Sequence, residues 1–153
     1  MTKWNTYFRN VTEAVAGNSK CLSRTIGAII VRDNIIISTG YNGPPRGVPQ
    51  CGENNPVEAR DICPRQLLNY ESGNGLHLCP AAHAEANAIV SAARLGVSVK
   101  NATMYVNCEI PCKNCLVLII NSGIVKVVCE TNDLYDGLSF YILNHSNLTI
   151  EVF

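Results

Sequence analysis

His83-Ala84-Glu85-Ala86-Asn87-Ala88-Ile89 and, further along, Pro111-Cys112-Lys113-Asn114-Cys115 are the stretches that organise this chain. Ala84 to Leu95 is alanine-rich and helix-favouring, with Gly96 as a stop. Lys113 to Ser122 reads as a second helix, ended by Gly123. His83 therefore opens one helix and Cys112 the other. Pro111 suits the turn into a helix, where its missing N–H loses nothing. Cys112 and Cys115 are three apart, so one helical turn aims both sulfurs at one point. Helix N-terminal dipoles favour the thiolate form that a metal requires. One imidazole and two thiolates suit a single Zn²⁺ and leave the fourth tetrahedral position to water. A structural zinc is normally closed by four protein ligands, so three plus water describes a catalytic one. Glu85 lies two residues after the histidine, near enough to move that water's protons without ligating the metal.

Outward from these stretches, Trp4, Tyr7, Phe8, Val11 and Val15 recur at helical spacing, and 4–17 reads as an amphipathic first helix. Thr25 to Val31 and Ile35 to Thr39 are β-branched runs split by Arg32-Asp33-Asn34, the composition of a hairpin turn. The Gly/Pro density of Gly40 to Gly47 forbids regular structure. Tyr41 to Pro80 continues with little periodicity, a length that in a compact domain is usually functional. Ala102 to Cys108 and Ile124 to Cys129 read as strands, Leu134 to Asn144 as a helix, and Leu148 to Phe153 as a terminal edge strand. Strands alternating with helices after a hairpin imply an α/β fold, a mixed sheet covered by helices. No internal repeat or linker divides the chain, so 1–153 is expected to be one domain. Cys108 and Cys129, within apolar strands, read as small buried hydrophobes.

Of the 153 residues, 47% are hydrophobic and 16% charged, which is globular rather than disordered. Twelve Lys and Arg balance twelve Asp and Glu, and no basic block supplies the electrostatic footprint of nucleic-acid binding. A small-molecule substrate fits this charge, and a tRNA or DNA strand does not. No apolar run reaches the roughly 18 residues of a membrane span, and the start lacks the regions of a signal peptide. The expectation is a cytoplasmic protein whose eight cysteines serve as metal ligands and catalytic groups before disulfides.

The order His-x-Glu then Pro-Cys-x-x-Cys is the signature of zinc nucleobase deaminases. In that chemistry zinc-activated water attacks C4 of a cytosine, and Glu85 takes the water proton, protonates ring N3 and helps the amine leave as ammonia. Together with Thr25-Ile26-Gly27-Ala28-Ile29-Ile30-Val31 and Ser38-Thr39-Gly40-Tyr41-Asn42-Gly43, these residues resemble the deoxycytidylate (dCMP) deaminase family of phage and bacteria, over roughly 4–135. The resemblance implies the cytidine deaminase-like fold, a three-layer α/β/α sandwich around a five-stranded mixed sheet. It implies conversion of dCMP and water to dUMP and ammonia, supplying dTTP synthesis. It also implies dCTP activation and dTTP inhibition near Asn42, Gly43 and Arg46, and a homohexamer. Asn42 is similar to an asparagine that contacts the substrate sugar, and the backbone of Ala84 and Ile110 is expected beside the base. The Thr or Ser often found shortly before Pro-Cys is replaced here by Asn107-Cys108-Glu109-Ile110.

Some relatives carry a second, structural zinc, and Cys21, Cys51, Cys63 and Cys79 stand at similar places, with His77 able to replace one sulfur. Such a clip would offset the ordering entropy of the long loop. A phosphate requires cationic or backbone donors, for which Arg24 and Arg46 are the candidates, with Lys113 third. A free-nucleoside or base deaminase is the nearest alternative reading, and a noncatalytic zinc-binding regulatory module a more distant one. Glu85 speaks against the latter, because a structural metal has no use for it.

Overall fold

In a computed structural model, which describes residues 2–51 and 63–153, the chain forms a five-stranded sheet between helices. The elements are α1 (Lys3–Ala16), β1 (Gly27–Arg32), β2 (Ile35–Tyr41), the short α2 (Pro64–Leu67), a 3₁₀ turn (Leu76–Leu78), α3 (Ala84–Arg94), β3 (Thr103–Val106), α4 (Lys113–Asn121), β4 (Lys126–Cys129), α5 (Gly137–Asn144) and β5 (Thr149–Val152). The strand order is β2-β1-β3-β4-β5. β1 is antiparallel to β2 and β3, whereas β3, β4 and β5 run parallel, so the sheet is mixed and β5 is an edge.

The hairpin forms because Asp33 and Asn34 take φ of 52° and 60°, the left-handed pair that a two-residue turn between twisted strands requires. Alternation along β1 then divides the core. Ile29 and Val31 face α1, where Phe8, Tyr105 and Val128 are buried with them. Ala28 and Ile30 face α3 and α4, among Ala84, Ala88, Met104 and Leu116. Burying Phe8 alone, 1% exposed, is worth about 1.5–3 kcal/mol.

The layer that carries the metal motif lies unusually close to the sheet. A Cβ on Gly40 of β2 would run into the Ala84 carbonyl oxygen and the Ala88 nitrogen of α3. Ser38 Oγ donates to the Ala88 carbonyl at 2.6 Å, pinning the same contact. This approach fixes where α3 begins, and therefore where His83 stands. Among the described residues no helix is long and apolar enough to cross a membrane.

Several expectations shift. The Leu134–Asn144 helix starts later, at Gly137, because Asp136 caps it by accepting the Ser139 N–H at 2.8 Å. Leu134 instead pairs with Ile110 in an isolated parallel bridge. β3 ends at Val106, so Cys108 lies beyond the strand rather than inside it. The 41–80 stretch contains α2 and the 3₁₀ turn.

Candidate metal centre and pocket

His83 is the N-cap of α3 and Cys112 the N-cap of α4, with Cys115 in the first turn of α4. Their donor atoms lie within 4.8 Å of one another, the one such group of His, Cys and acidic side chains among the described residues. His83 Nδ1 is 3.5 Å from Cys112 Sγ and 3.4 Å from Cys115 Sγ. Tetrahedral zinc with ordinary Zn–S and Zn–N bonds places such atoms roughly 3.6 Å apart, so the donor set fits zinc in spacing and in chemistry.

The electrostatics match. A hydrogen bond from Cys115, then one from His83, pulls the Cys112 thiol down to about 4 against the opposing effect of burial. Cys115 is pushed up, first by the proton it shares with Cys112 and then by burial. His83 is raised by its hydrogen bond with Cys112. The lowered Cys112 thiol suits the thiolate that a zinc ligand must be.

Glu85 is 4% exposed, and burial is the leading cause that raises its carboxyl above the ordinary range. Its own backbone N–H and the charge of His83 oppose that rise. It is not among the converging donors.

His83, Glu85 and Cys112 line a cavity of about 240 Å³, together with Ala84, Ile110 and Asn42. That volume suits one small ligand rather than a strand. Asn42 accepts the Ile26 N–H on Oδ1 at 2.8 Å and donates from Nδ2 to the Arg24 carbonyl at 2.9 Å, bracing the segment that carries Arg24. Gly43 and Ala82 exchange two backbone hydrogen bonds of 3.1 and 2.9 Å, tying the Gly/Pro loop to the residue before His83.

Arg24 lines the cavity, whereas Arg46 is exposed on its loop and Lys113 is outside the lining. Lys113 gives its backbone N–H to Asp136 Oδ2 at 2.8 Å. Arg65 and Tyr135 also line the cavity, and neither was singled out by the sequence reading. Arg65 carried the signal of a Cys-Pro-Arg helix start, and Tyr135 that of an aromatic beside a capping Asp. Cys108 is a correction: it is only partly buried and lines the pocket, its Sγ donating to the Glu109 carbonyl at 3.3 Å. Cys129 is fully buried, as expected.

Cys21, Cys51, Cys63 and Cys79 line a second, smaller cavity of about 20 Å³. Burial, then the neighbouring Cys63, pushes the Cys51 thiol up to about 12. The four sulfurs share a cavity without converging as the first three donors do. His77 is exposed and outside that lining.

The family described as the cytidine and deoxycytidylate deaminase zinc-binding region matches residues 2–131. A deoxycytidylate deaminase of Saccharomyces cerevisiae is 36% identical over 150 residues, covering 98% of this chain and 45% of its own length. One from Mycobacterium phage D29 is 38% identical over 130 residues, covering 82% of this chain and 92% of its own. The chain thus spans under half of the yeast relative and nearly all of the phage one. The crystal structure of the dCMP deaminase of cyanophage S-TIM5 in complex with dCMP and dUMP superposes with a TM-score of 0.75 at 21% identity, over 100% of this chain and 99% of that one.

Proposed function

The chain belongs to the cytidine and deoxycytidylate deaminase zinc-binding family, and on that premise we propose that it deaminates dCMP to dUMP. The observation that carries the reading is one pocket lined by a buried carboxylate, Glu85, and by His83 and Cys112, two of the three converging zinc donors, with Cys115 beside them. His83, Cys112 and Cys115 would hold the zinc, which would lower the pKa of a water toward about 7 and so supply the attacking oxygen.

The chain's own groups do the rest. Glu85, made more basic by burial, accepts a proton from the water and delivers it to N3 of the ring. Glu85 then takes the remaining proton from the new C4 hydroxyl and hands it to the exocyclic amine, so that ammonia leaves and the oxygen stays as the C4 carbonyl. Ala84 and Ile110 flank the base, Asn42 serves the sugar and Arg24 the phosphate. The cavity, the neutral composition and the phage relatives support a mononucleotide over a strand.

The family resemblance supports three finer readings. The product supplies dTTP synthesis in the cytoplasm. dCTP activates and dTTP inhibits through the loop of Asn42, Gly43 and Arg46. The chain works as a homohexamer. The shared cavity of Cys21, Cys51, Cys63 and Cys79 supports a second, structural zinc.

Ammonia release from dCMP, deoxycytidine, cytidine and single-stranded DNA, with and without dCTP, tests the reading. dCMP should be preferred, and Glu85→Gln should keep its zinc while losing about 10²–10⁴ in kcat. Equal rates on deoxycytidine would favour a nucleoside deaminase, and near-normal turnover of Glu85→Gln would remove the assigned proton shuttle.

A further inference from the structure

The rim of the pocket holds a charge arrangement that deamination itself does not use. Arg24 presents Nη1 and Nη2 to Glu109 Oε1 and Oε2 at 2.7 and 2.6 Å, a bidentate pair of two forks. Both residues line the cavity that contains His83 and Glu85. A guanidinium that grips a carboxylate this way offers the same two donors that grip a phosphate. Glu109 therefore occupies the place that a phosphate on Arg24 would take.

The backbones beneath the pair are fixed independently of it. Asn42 bonds both Arg24 O and Ile26 N on one side. On the other, the Cys108 carbonyl accepts from Glu130 N at 2.8 Å and Ile110 N donates to Asp133 O at 3.1 Å. The side chains themselves reach solvent, Arg24 being 48% and Glu109 23% exposed. Either can turn away without unfolding anything.

Arg65 completes the arrangement. It is 7% exposed, lines the same cavity, and spends Nε and Nη2 on two neutral carbonyls, those of Asn74 at 2.7 Å and Glu71 at 3.0 Å. Its charge has no carboxylate partner among the described residues. Arg24 and Arg65 thus share the cavity lining with the carboxyls of Glu85 and Glu109. Withdrawing Glu109 frees the Arg24 charge for another anion, and a phosphate monoester is such an anion near neutral pH.

We propose that Glu109 is a built-in stand-in for the substrate phosphate, holding the Arg24 fork in the empty pocket and yielding it to a dianionic monoester. A nucleoside, with a neutral 5′-hydroxyl, cannot displace a carboxylate from a guanidinium and gains nothing from Arg24. Glu109 thus sets specificity by moderating it: mononucleotide binding must break the pair and nucleoside binding need not, so the carboxylate lowers the preference that Arg24 confers. Glu109's carboxyl lies below its ordinary range chiefly through its hydrogen bonds with Arg24, so it is present as the competing anion.

The inference rests on the mononucleotide reading, yet its test separates the two. In the zinc-loaded protein, inorganic phosphate is titrated calorimetrically and as a competitive inhibitor, beside KM for dCMP and for deoxycytidine. Glu109→Gln keeps the side chain's shape and removes the charge. Its Kd for inorganic phosphate and its KM for dCMP should each fall about three- to tenfold, the scale of one partly exposed bidentate pair. Preference for dCMP over deoxycytidine, as a ratio of kcat/KM, should rise by the same factor. Adding Arg24→Gln should erase the difference between Glu and Gln at 109.

A rise in both constants would mean that Glu109 positions Arg24 for phosphate, and no change would make it a bystander; either overturns the proposal. Should Glu109→Gln fail to fold, Glu109→Asp shortens the same carboxylate and should shift Kd in the same direction by less. Tighter phosphate binding without any turnover of dCMP would sink the substrate reading and leave Glu109's role standing. Turnover of dCMP with unchanged phosphate binding would do the reverse.

Discussion

The donors of the metal centre and the other four cysteines stand on different kinds of backbone. His83, Cys112 and Cys115 occupy the starts of α3 and α4, helices packed on the sheet, and their donor atoms converge within 4.8 Å. Cys21, Cys51, Cys63 and Cys79 lie on connections around the pocket and share a cavity without converging. Helix starts backed by a sheet hold ligands in place without the metal's help. Connecting segments lack that backing, so a metal there contributes folding energy instead of receiving a finished site.

The largest expected effect removes a donor from the rigid set. Cys112→Ala should lose the first zinc and lower deamination by at least about 10⁴-fold, part of the 10⁶–10¹⁷ that enzymes provide. Its circular dichroism and melting midpoint should change little, because α3 and α4 are held by Gly40, Ser38 and the core. Unfolding of Cys112→Ala would break the comparison, since both metal sets would then be structural.

Cys63→Ser should act in the opposite sense. Metal analysis should show wild type with two zinc ions per chain and the variant with one. The variant's melting midpoint should fall further than that of Cys112→Ala, while it retains the catalytic zinc. One zinc in the wild type would end the second-metal reading, and the four thiols would stand as cavity lining only.

The smallest effect probes what holds the rigid set besides packing. Asp136 accepts the Lys113 N–H and the Ser139 N–H, each at 2.8 Å, capping α4 and α5 together. The Lys113 bond is the leading cause that holds its carboxyl below the ordinary range. The ionised form therefore favours the folded state. That contribution is complete above the unfolded pKa of about 3.9 and is lost as pH falls through the lower native value. Asp136→Ala should cost about 0.5–2 kcal/mol near neutral pH by denaturant titration, the usual worth of a cap. The gap between the two proteins should narrow as pH falls below the unfolded value and close once native Asp136 is itself protonated. A gap independent of pH would remove the capping explanation.

The parts legible in the sequence are those with a strong local code. Alanines after His83 and the Cys-x-x-Cys spacing located α3, α4 and all three donors. Two β-branched runs split by Arg32-Asp33-Asn34 announced the hairpin. Other parts depended on partners distant in sequence. Leu134 looked helical until its neighbourhood with Ile110 and the Asp136 cap decided otherwise. Cys108 looked like a strand residue, but β3 stops where pairing with β1 stops, two residues earlier. Arg24 could be named as a phosphate candidate from its position, whereas its partner Glu109 is 85 residues away and no spacing announces it. Arg65 was hidden because a lone arginine in a loop gives no sign of burial, although the preceding proline marked a helix start.

The two hydrogen bonds between Gly43 and Ala82 have a thermodynamic corollary. One residue beyond Ala82 is His83, and one residue before Gly43 is Asn42, so a metal ligand and a wall of the pocket hang from the same short bridge. Two ligands that both favour the closed bridge must assist each other by equal factors. Whatever nucleotide raises the affinity of His83 and its partners for zinc is therefore bound more tightly, by the same factor, when the zinc is present. Chelator competition at equilibrium can then report on ligands that are never turned over.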